Sequence, residues 1–130
     1  MLNRISLFLL LAILLVSCSE KNLTIQLDVL AESPQIDYAV EKFKELSQTG
    51  TMAISDSAAD VTIRAALDTI SLKSEAYRIV SQNNVVEITG GDAVGLMYGL
   101  LEVKNQLKSG KKTIESKEET PNLMFRAIKF

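Results

Sequence analysis

The sequence predicts an α+β domain in which a small sheet of about four strands, antiparallel or mixed, carries two helices on one face. Short segments with strictly alternating apolar and polar residues indicate strands that bury one face. Two longer segments instead show the 3.6-residue period of amphipathic helices. These segments follow one another as strand, helix, two or three strands and helix, an order typical of helices that share one side of a sheet.

The first strand and the first helix are predicted from alternation and from a capping pattern. Residues 23–29 alternate strictly between apolar and polar side chains. Ser33 then supplies a capping hydroxyl, and Pro34 stands at the first helical position, where its missing N–H costs nothing. Gly50 is placed to end the helix. The apolar stripe of this helix consists of Ile36, Ala39, Val40, Phe43 and Leu46.

The middle of the chain predicts strands joined by polar loops. Residues 52–54 form either a brief strand or a connection, and residues 55–60 are small and polar, as in a loop. Residues 61–65 alternate like a strand. The clearest hairpin joins residues 77–80 to residues 85–89 through a turn that contains two asparagines, which tolerate positive backbone angles.

The second helix is predicted over residues 93–108, with Asp92 as its N-cap and Gly110 at its end. Gly95 and Gly99 share one side of this helix, although glycine in a helix costs about 1 kcal/mol relative to alanine. We therefore expect that side to approach the sheet closely. Phosphate binding is the alternative, but no strand-linked glycine fingerprint precedes these residues. The core stripe is Leu96, Leu100, Val103 and Leu107.

The first residues have the anatomy of an export signal. Residues 1–17 combine a charged start with a short apolar run, and a membrane-spanning helix needs about 20 apolar residues. Residues 15–18 resemble the lipobox of bacterial lipoproteins, which implies cleavage between Ser17 and Cys18 and lipid on Cys18. A plain secretory signal with an incidental cysteine is the alternative. Several acyl chains on one cysteine anchor a protein firmly. The polar residue Ser19 after Cys18 is compatible with an outer-membrane or cell-surface location.

The domain limits follow from these segments. Residues 1–17 are the predicted signal peptide, residues 18–22 a tether, and residues 23–110 one α+β accessory domain. Residues 111–122 are charged and polar and indicate an exposed connector. Residues 123–130 alternate like a strand, so we expect them to begin a following domain.

Composition excludes several kinds of function. Removing residues 1–17 takes Arg4 from the 14 basic residues and leaves all 16 acidic ones, a net charge of about −3 with no basic patch for nucleic acid. The chain has no histidine and no tryptophan, and Cys18 is its only cysteine, so no intrachain disulfide forms. No catalytic residue, metal ligand or cofactor site is predicted.

A few polar residues remain as candidates for chemistry. Glycoside hydrolysis needs two carboxylates that flank the scissile bond. Two pairs of neighbouring carboxylates could meet this requirement, namely Asp56 with Asp60 and Glu118 with Glu119. We interpret both pairs as solvated charges in loops. Tyr98 is interpreted as a packing residue with its hydroxyl at the rim. The guanidinium of Arg126 is interpreted as one half of a structural ion pair.

Residues 75–80 and 85–101, with the stretch from Gly95 to Gly99, resemble the small N-terminal domain of family-20 β-N-acetylhexosaminidases and its counterpart in α-glucuronidases. Pro121 followed by residues 125–130 is similar to the junction at which these enzymes enter their (β/α)₈ barrel. The resemblance implies that the acid/base carboxylates lie beyond Phe130. No catalytic residue is therefore carried over to this sequence.

Three functions are compatible with these observations. The favoured one is a non-catalytic N-terminal accessory domain of a membrane-anchored glycoside hydrolase, which supports a barrel that follows it. The alternative is a small stand-alone surface lipoprotein that binds a glycan or a protein partner. Hydrolysis of sugars by these 130 residues alone is the least supported, because the sequence lacks the usual catalytic side chains.

Overall fold

The computed structural model describes residues 22–111 and 113–121, and they form one mixed sheet with two helices. The elements in chain order are β1 (Leu23–Val29), α1 (Pro34–Gln48), β2 (Met52–Ile54), β3 (Val61–Leu67), β4 (Tyr77–Gln82), β5 (Val85–Gly90), α2 (Ala93–Lys108) and β6 (Lys117–Glu119).

The sheet has six strands in the order β2-β1-β3-β5-β4-β6. Strands β2, β1, β3 and β5 are parallel to their neighbours, whereas β4 runs antiparallel to both β5 and β6. The α+β class and the mixed sheet are thus confirmed, but the predicted number of about four strands is corrected to six. The segment at residues 52–54 is a strand and not merely a connection.

Strand β6 arises within the segment that the sequence indicates as an exposed connector. Its three residues pair with β4, and the preceding Ile114 is buried with 7% of its surface exposed. The buried Gln106 of α2 accepts a hydrogen bond from the Glu115 N–H at 2.8 Å. The Ser81 N–H of β4 donates to Ser116 Oγ at 3.0 Å. β6 has only three residues, all of them charged, and it lies at the edge of the sheet. Its sequence therefore shows no alternation of apolar and polar residues from which a strand could be predicted.

The hydrophobic core lies between one face of the sheet and both helices. Phe43 of α1 and Leu96 of α2 are fully buried against isoleucines from neighbouring strands. Burying one such side chain stabilises the fold by about 1.5–3 kcal/mol. The fully buried isoleucines of the sheet are Ile25, Ile63, Ile79 and Ile88.

Both helices begin at the predicted caps. Ser33 Oγ accepts a hydrogen bond from the Ile36 N–H at 3.2 Å, and the Asp92 carboxylate accepts one from the Gly95 N–H at 2.8 Å. Each cap satisfies a backbone donor that has no partner within its helix. Gly50, with φ 79°, follows α1 in the left-handed conformation expected after a helix end. The hairpin turn places Asn83 at φ 54°.

The helix glycines serve packing, as predicted. A Cβ atom at Gly99 would lie 2.6 Å from Cγ2 of Ile88 in β5. At Gly95 it would lie 2.2 Å from the Ala76 carbonyl oxygen. Both distances are far shorter than van der Waals contact, so α2 reaches its position over the sheet only because these side chains are missing.

The two ends of the described chain lie at opposite poles of the sheet. Leu23 begins β1, and β6 runs in the same direction as β1, β3 and β5. The chain therefore arrives at the pole formed by the amino ends of these strands and leaves, at Pro121, near the pole formed by their carboxyl ends.

Candidate functional site

A cleft of about 340 Å³ lies beside α2, next to the pairing of β4 with β6. It is lined by three carboxylates (Glu75, Glu102 and Glu119), by Tyr77 and Tyr98, and by Leu101, Asn105 and Pro121. The cleft thus combines carboxylates with aromatic rings, and such groups line many ligand-binding sites.

Helix periodicity and strand register bring the lining residues together. Tyr98, Leu101 and Asn105 recur at three- and four-residue spacing along the side of α2 that points away from the core stripe. Across the cleft, Tyr77 opens β4 and is paired in register with Glu119 of β6. The sequence pattern does not predict β6. The cleft between α2 and this edge of the sheet could therefore not be predicted from the sequence either.

Glu75 enters the cleft from a turn in an unusual conformation. Its φ of 59° is left-handed, a region that residues other than glycine rarely adopt and that costs about 1–3 kcal/mol. The turn is held by hydrogen bonds from the Ala76 N–H to the Lys73 carbonyl at 3.1 Å and from the Gly91 N–H to the Ala76 carbonyl at 2.9 Å. These contacts fix the backbone of Glu75 against the start of α2.

Lys117 offsets part of the negative charge of the three carboxylates. Its Nζ lies 2.7 Å from Oε1 of Glu119 and 3.9 Å from Oε1 of Glu102. The hydrogen bond to Glu119 raises the pKa of Lys117, so the ammonium is retained well above neutral pH. Two of the three carboxylates therefore act as ion-pair partners of one lysine.

Burial raises the pKa of the Tyr77 hydroxyl, and the nearby Lys117 opposes part of that effect. The hydroxyl thus stays protonated near neutral pH, and its oxygen accepts a hydrogen bond from the Lys117 ammonium. Among the described residues no group of three or more His, Cys, Asp or Glu side chains is arranged to hold a metal ion. The arrangement offers hydrogen bonds and contact surface but no activated nucleophile or general base.

Three of the four carboxylates singled out in the sequence have structural partners. Asp60 accepts the Thr24 N–H at 3.0 Å and so fixes the start of β1, whereas Asp56 is exposed in the loop before β3. Glu118 and Glu119 belong to β6 and not to a loop, which corrects the interpretation as loop charges. Glu118 pairs with Arg78 at 2.6 Å.

The remaining sequence candidates divide between the cleft and the undescribed ends. Tyr98 packs partly buried against the core, as predicted, and it also lines the cleft. Ser17, Cys18 and Arg126 lie outside the described residues, so the cleavage site, the lipid and the ion pair stay predictions. Within the described ranges, neither helix is long and apolar enough to cross a membrane.

Comparison with known protein families gives a match to Glycosyl hydrolase family 20, domain 2, over residues 17–118. The chain belongs to this family. The resemblance noted in residues 75–101 is thereby confirmed, and this family-20 domain resembles the accessory domain of glycoside hydrolases, which supports a role in glycan metabolism. No curated protein sequence matches the chain.

Solved structures that are similar to this family-20 domain include large glycoside hydrolases. A GH138 enzyme targeting pectin rhamnogalacturonan II is 19% identical with a TM-score of 0.64, over 78% of this chain and 16% of that chain. A GH115 4-O-methyl-α-glucuronidase with specificity for decorated arabinogalactans is 20% identical with a TM-score of 0.49, over 68% of this chain and 14% of that chain.

The β-N-acetylhexosaminidase from Bacteroides fragilis NCTC 9343 is 13% identical with a TM-score of 0.43, over 73% of this chain and 19% of that chain. At these identities the likeness to the GH138 enzyme shows a shared fold and nothing about substrate. The family-20 domain spans 16% of the length of that enzyme.

Proposed function

We propose that this chain is the non-catalytic N-terminal accessory domain of a membrane-anchored glycoside hydrolase, in which it supports a catalytic barrel that follows it. The observation that carries the proposal is the match of residues 17–118 to domain 2 of a glycosyl hydrolase family. The chain covers only 16% of the GH138 enzyme. This small share supports a parent protein that contains further domains.

The chemistry of the cleft supports a non-catalytic role. Hydrolysis of a glycosidic bond uses one carboxylic acid as proton donor and a second carboxylate as base or nucleophile. Glu119 is instead hydrogen bonded to Lys117, and Glu102 lies within ion-pair distance of the same lysine. The reacting carboxylates of the parent enzyme are therefore expected in the following barrel.

Anchoring is supported by the residues before β1. The family match begins at residue 17, next to the cleavage site expected between Ser17 and Cys18. Residues 18–22 leave a short tether between the lipid on Cys18 and the first strand. The proposed location is thus the surface of a bacterial membrane, with the outer membrane as the expected one.

The test uses the full-length protein encoded by the gene, assayed on chromogenic β-N-acetylglucosaminides and α-glucuronides. We expect the full-length protein to hydrolyse at least one of these substrates and the double variant Glu102→Gln, Glu119→Gln to retain its kcat. A full-length protein without a further domain, or with its activity abolished in a folded double variant, would overturn the proposal. In the first case, sugar binding by the short protein would favour the stand-alone lipoprotein.

A further inference from the structure

The two poles of the sheet differ in charge. At the carboxyl pole, the segments that follow β1, β3 and β5 are predominantly acidic. At the amino pole, the turn after α1 and the turn between β4 and β5 are uncharged, and α2 ends in lysines. The domain is therefore an electric dipole along its strands, which a charged surface can orient. The charged residues of the carboxyl-pole segments are Glu32, Asp37, Asp68, Lys73, Glu75 and Asp92.

Lys104 and Lys108 lie one turn apart near the end of α2. They line a narrow groove of about 140 Å³ with Thr49, at the end of α1. Lys42 and Glu45 line the groove as well, but they pair with each other at 2.6 Å. Within the described part of the chain, no carboxylate lies within ion-pair distance of Lys104 or Lys108. The groove therefore has a surplus of positive charge.

Contacts within the domain do not account for both lysines. Two like charges at this spacing destabilise a helix. The carbonyl groups at a helix end attract cations in the last turn, and this applies to Lys108 but not to Lys104. Two carboxylates near the end of α2 are engaged elsewhere. Asp60 accepts a backbone N–H at 3.0 Å, and Glu115 pairs with Lys111 at 2.6 Å. The groove is thus suited to an anion from outside the domain.

The tether before β1 limits which pole faces the membrane. Residues 18–22 span at most about 18 Å when fully extended. As a flexible chain they span about 12 Å on average. With its seven residues, β1 is about 23 Å long. Its first residue, Leu23, lies at the amino pole and lines one cavity with Lys111, just after α2. A lipid on Cys18 therefore holds the amino pole near the membrane, and the tether is too short for the domain to invert.

We propose that the amino pole faces the membrane and that Lys104 and Lys108 contact the phosphate groups of anionic lipids. This inference rests on the proposed function, because it requires the lipid on Cys18. Each lysine near an anionic surface strengthens binding about fivefold, and the attraction decays over about 10 Å at 0.1 M salt. The acidic carboxyl pole is repelled by the same surface. Pro121, where the described chain ends, then points away from the membrane.

Fluorescence quenching tests this orientation in the full-length lipidated protein. Thr51→Cys places a thiol at the amino pole, and Thr69→Cys places a matched thiol at the carboxyl pole, both at exposed positions. A fluorophore on each thiol is quenched by spin-labelled headgroups in vesicles of phosphatidylcholine and phosphatidylglycerol. We expect at least about twofold stronger quenching at position 51, because the two poles lie about 20 Å apart. The protein without either substitution corrects for labelling elsewhere.

Charge reversal tests the two lysines. With the fluorophore at position 51, the double variant Lys104→Glu, Lys108→Glu is expected to lose about half of the quenching or more in these vesicles. The neutral variant Lys104→Gln, Lys108→Gln is expected to lose less. The control Arg64→Glu, Lys73→Glu changes the net charge equally, but away from the amino pole, and should keep the quenching. In vesicles of phosphatidylcholine alone, the lysine variants should match the parent protein.

Two kinds of failure are distinguishable. Equal quenching at positions 51 and 69, or quenching at position 51 that the lysine variants leave unchanged, would overturn the proposed membrane contact. An equal loss in the control Arg64→Glu, Lys73→Glu would overturn it as well. Mass spectrometry of the amino-terminal peptide shows whether Cys18 carries lipid. A protein without that lipid would instead overturn the anchoring in the proposed function.

Discussion

Gly95 of α2 packs directly against Ala76, so that a Cβ atom on Gly95 would lie 2.2 Å from the Ala76 carbonyl oxygen. That oxygen also accepts a hydrogen bond from the Gly91 N–H at 2.9 Å. The start of α2 thus contacts the turn before β4 at Gly95, and this contact holds the turn in place.

The first prediction concerns this contact. Gly95→Ala improves helix propensity by about 1 kcal/mol, but the added methyl group displaces backbone, and overpacking of this kind costs about 1–3 kcal/mol or more. We expect a net destabilisation in urea unfolding. Asn105→Ala, at an exposed position of the same helix, is the matched control and should be neutral or slightly stabilising. A stabilised Gly95→Ala protein would show that the contact is looser than described.

The second prediction concerns the cap of α2. Burial alone raises the pKa of Asp92, but hydrogen bonds from the Ser74 hydroxyl and the Gly95 N–H outweigh it, so the pKa of Asp92 is lowered on folding. The resulting stability is present above the unfolded pKa of about 3.9 and is lost as the pH falls through the folded pKa.

Asp92→Ala is therefore expected to lose about 1 kcal/mol at pH 7 and clearly less at pH 3, as measured by urea unfolding at both pH values. Asp56→Asn, in the exposed loop before β3, serves as control and should leave the free energy of unfolding unchanged at pH 7. An equal loss at both pH values would contradict the role of the ionised cap.

The third prediction tests the segment that leads into β6. Ile114 is 7% exposed and belongs to the core, so Ile114→Ala should destabilise the protein by about 2 kcal/mol or more. Ile70→Ala removes an isoleucine that is 96% exposed and should have little effect on this domain's stability. Equal effects in thermal unfolding would mean that residues 111–116 behave as the exposed connector that the sequence indicates.

The fourth prediction concerns the anchor. If the lipobox is used, cells that express the protein should incorporate labelled palmitate into the wild type and none into Cys18→Ser. The variant should also move from the membrane fraction to the soluble exported fraction, because a lipid anchor supplies the hydrophobic binding energy. Ser19→Ala leaves the cysteine in place and serves as control. A wild-type protein that incorporates no palmitate would exclude the lipid.

Local chemistry allowed much of the fold to be predicted. Ser33 and Asp92 fix the starts of the helices through backbone donors that lie within three residues of them, and Asn83 marks the hairpin turn. Helix propensity likewise predicts the packing role of Gly95. Glycine lowers the stability of a helix relative to alanine, so a close contact is expected to compensate for it.

The cleft and the strand order depend on pairings between distant residues, which the sequence does not display. Lys117 and Glu119 look like solvated charges until β6 pairs with β4 and brings them to Tyr77. The left-handed backbone of Glu75 likewise depends on contacts with distant residues, because its turn packs against Gly95 at the start of α2 and glutamate has no local preference for that conformation.

The opposite positions of Leu23 and Pro121 have a mechanical consequence. If Cys18 carries the proposed lipid and the proposed barrel follows Pro121, tension between them pulls β1 and β6 apart along their own axes. The hydrogen bonds between neighbouring strands from β1 to β6 are then loaded in shear. They share the force and do not break one after another. The pairing of β6 with β4 has three residue pairs, fewer than any other pairing between β1 and β6. We expect β6 to detach from the sheet first.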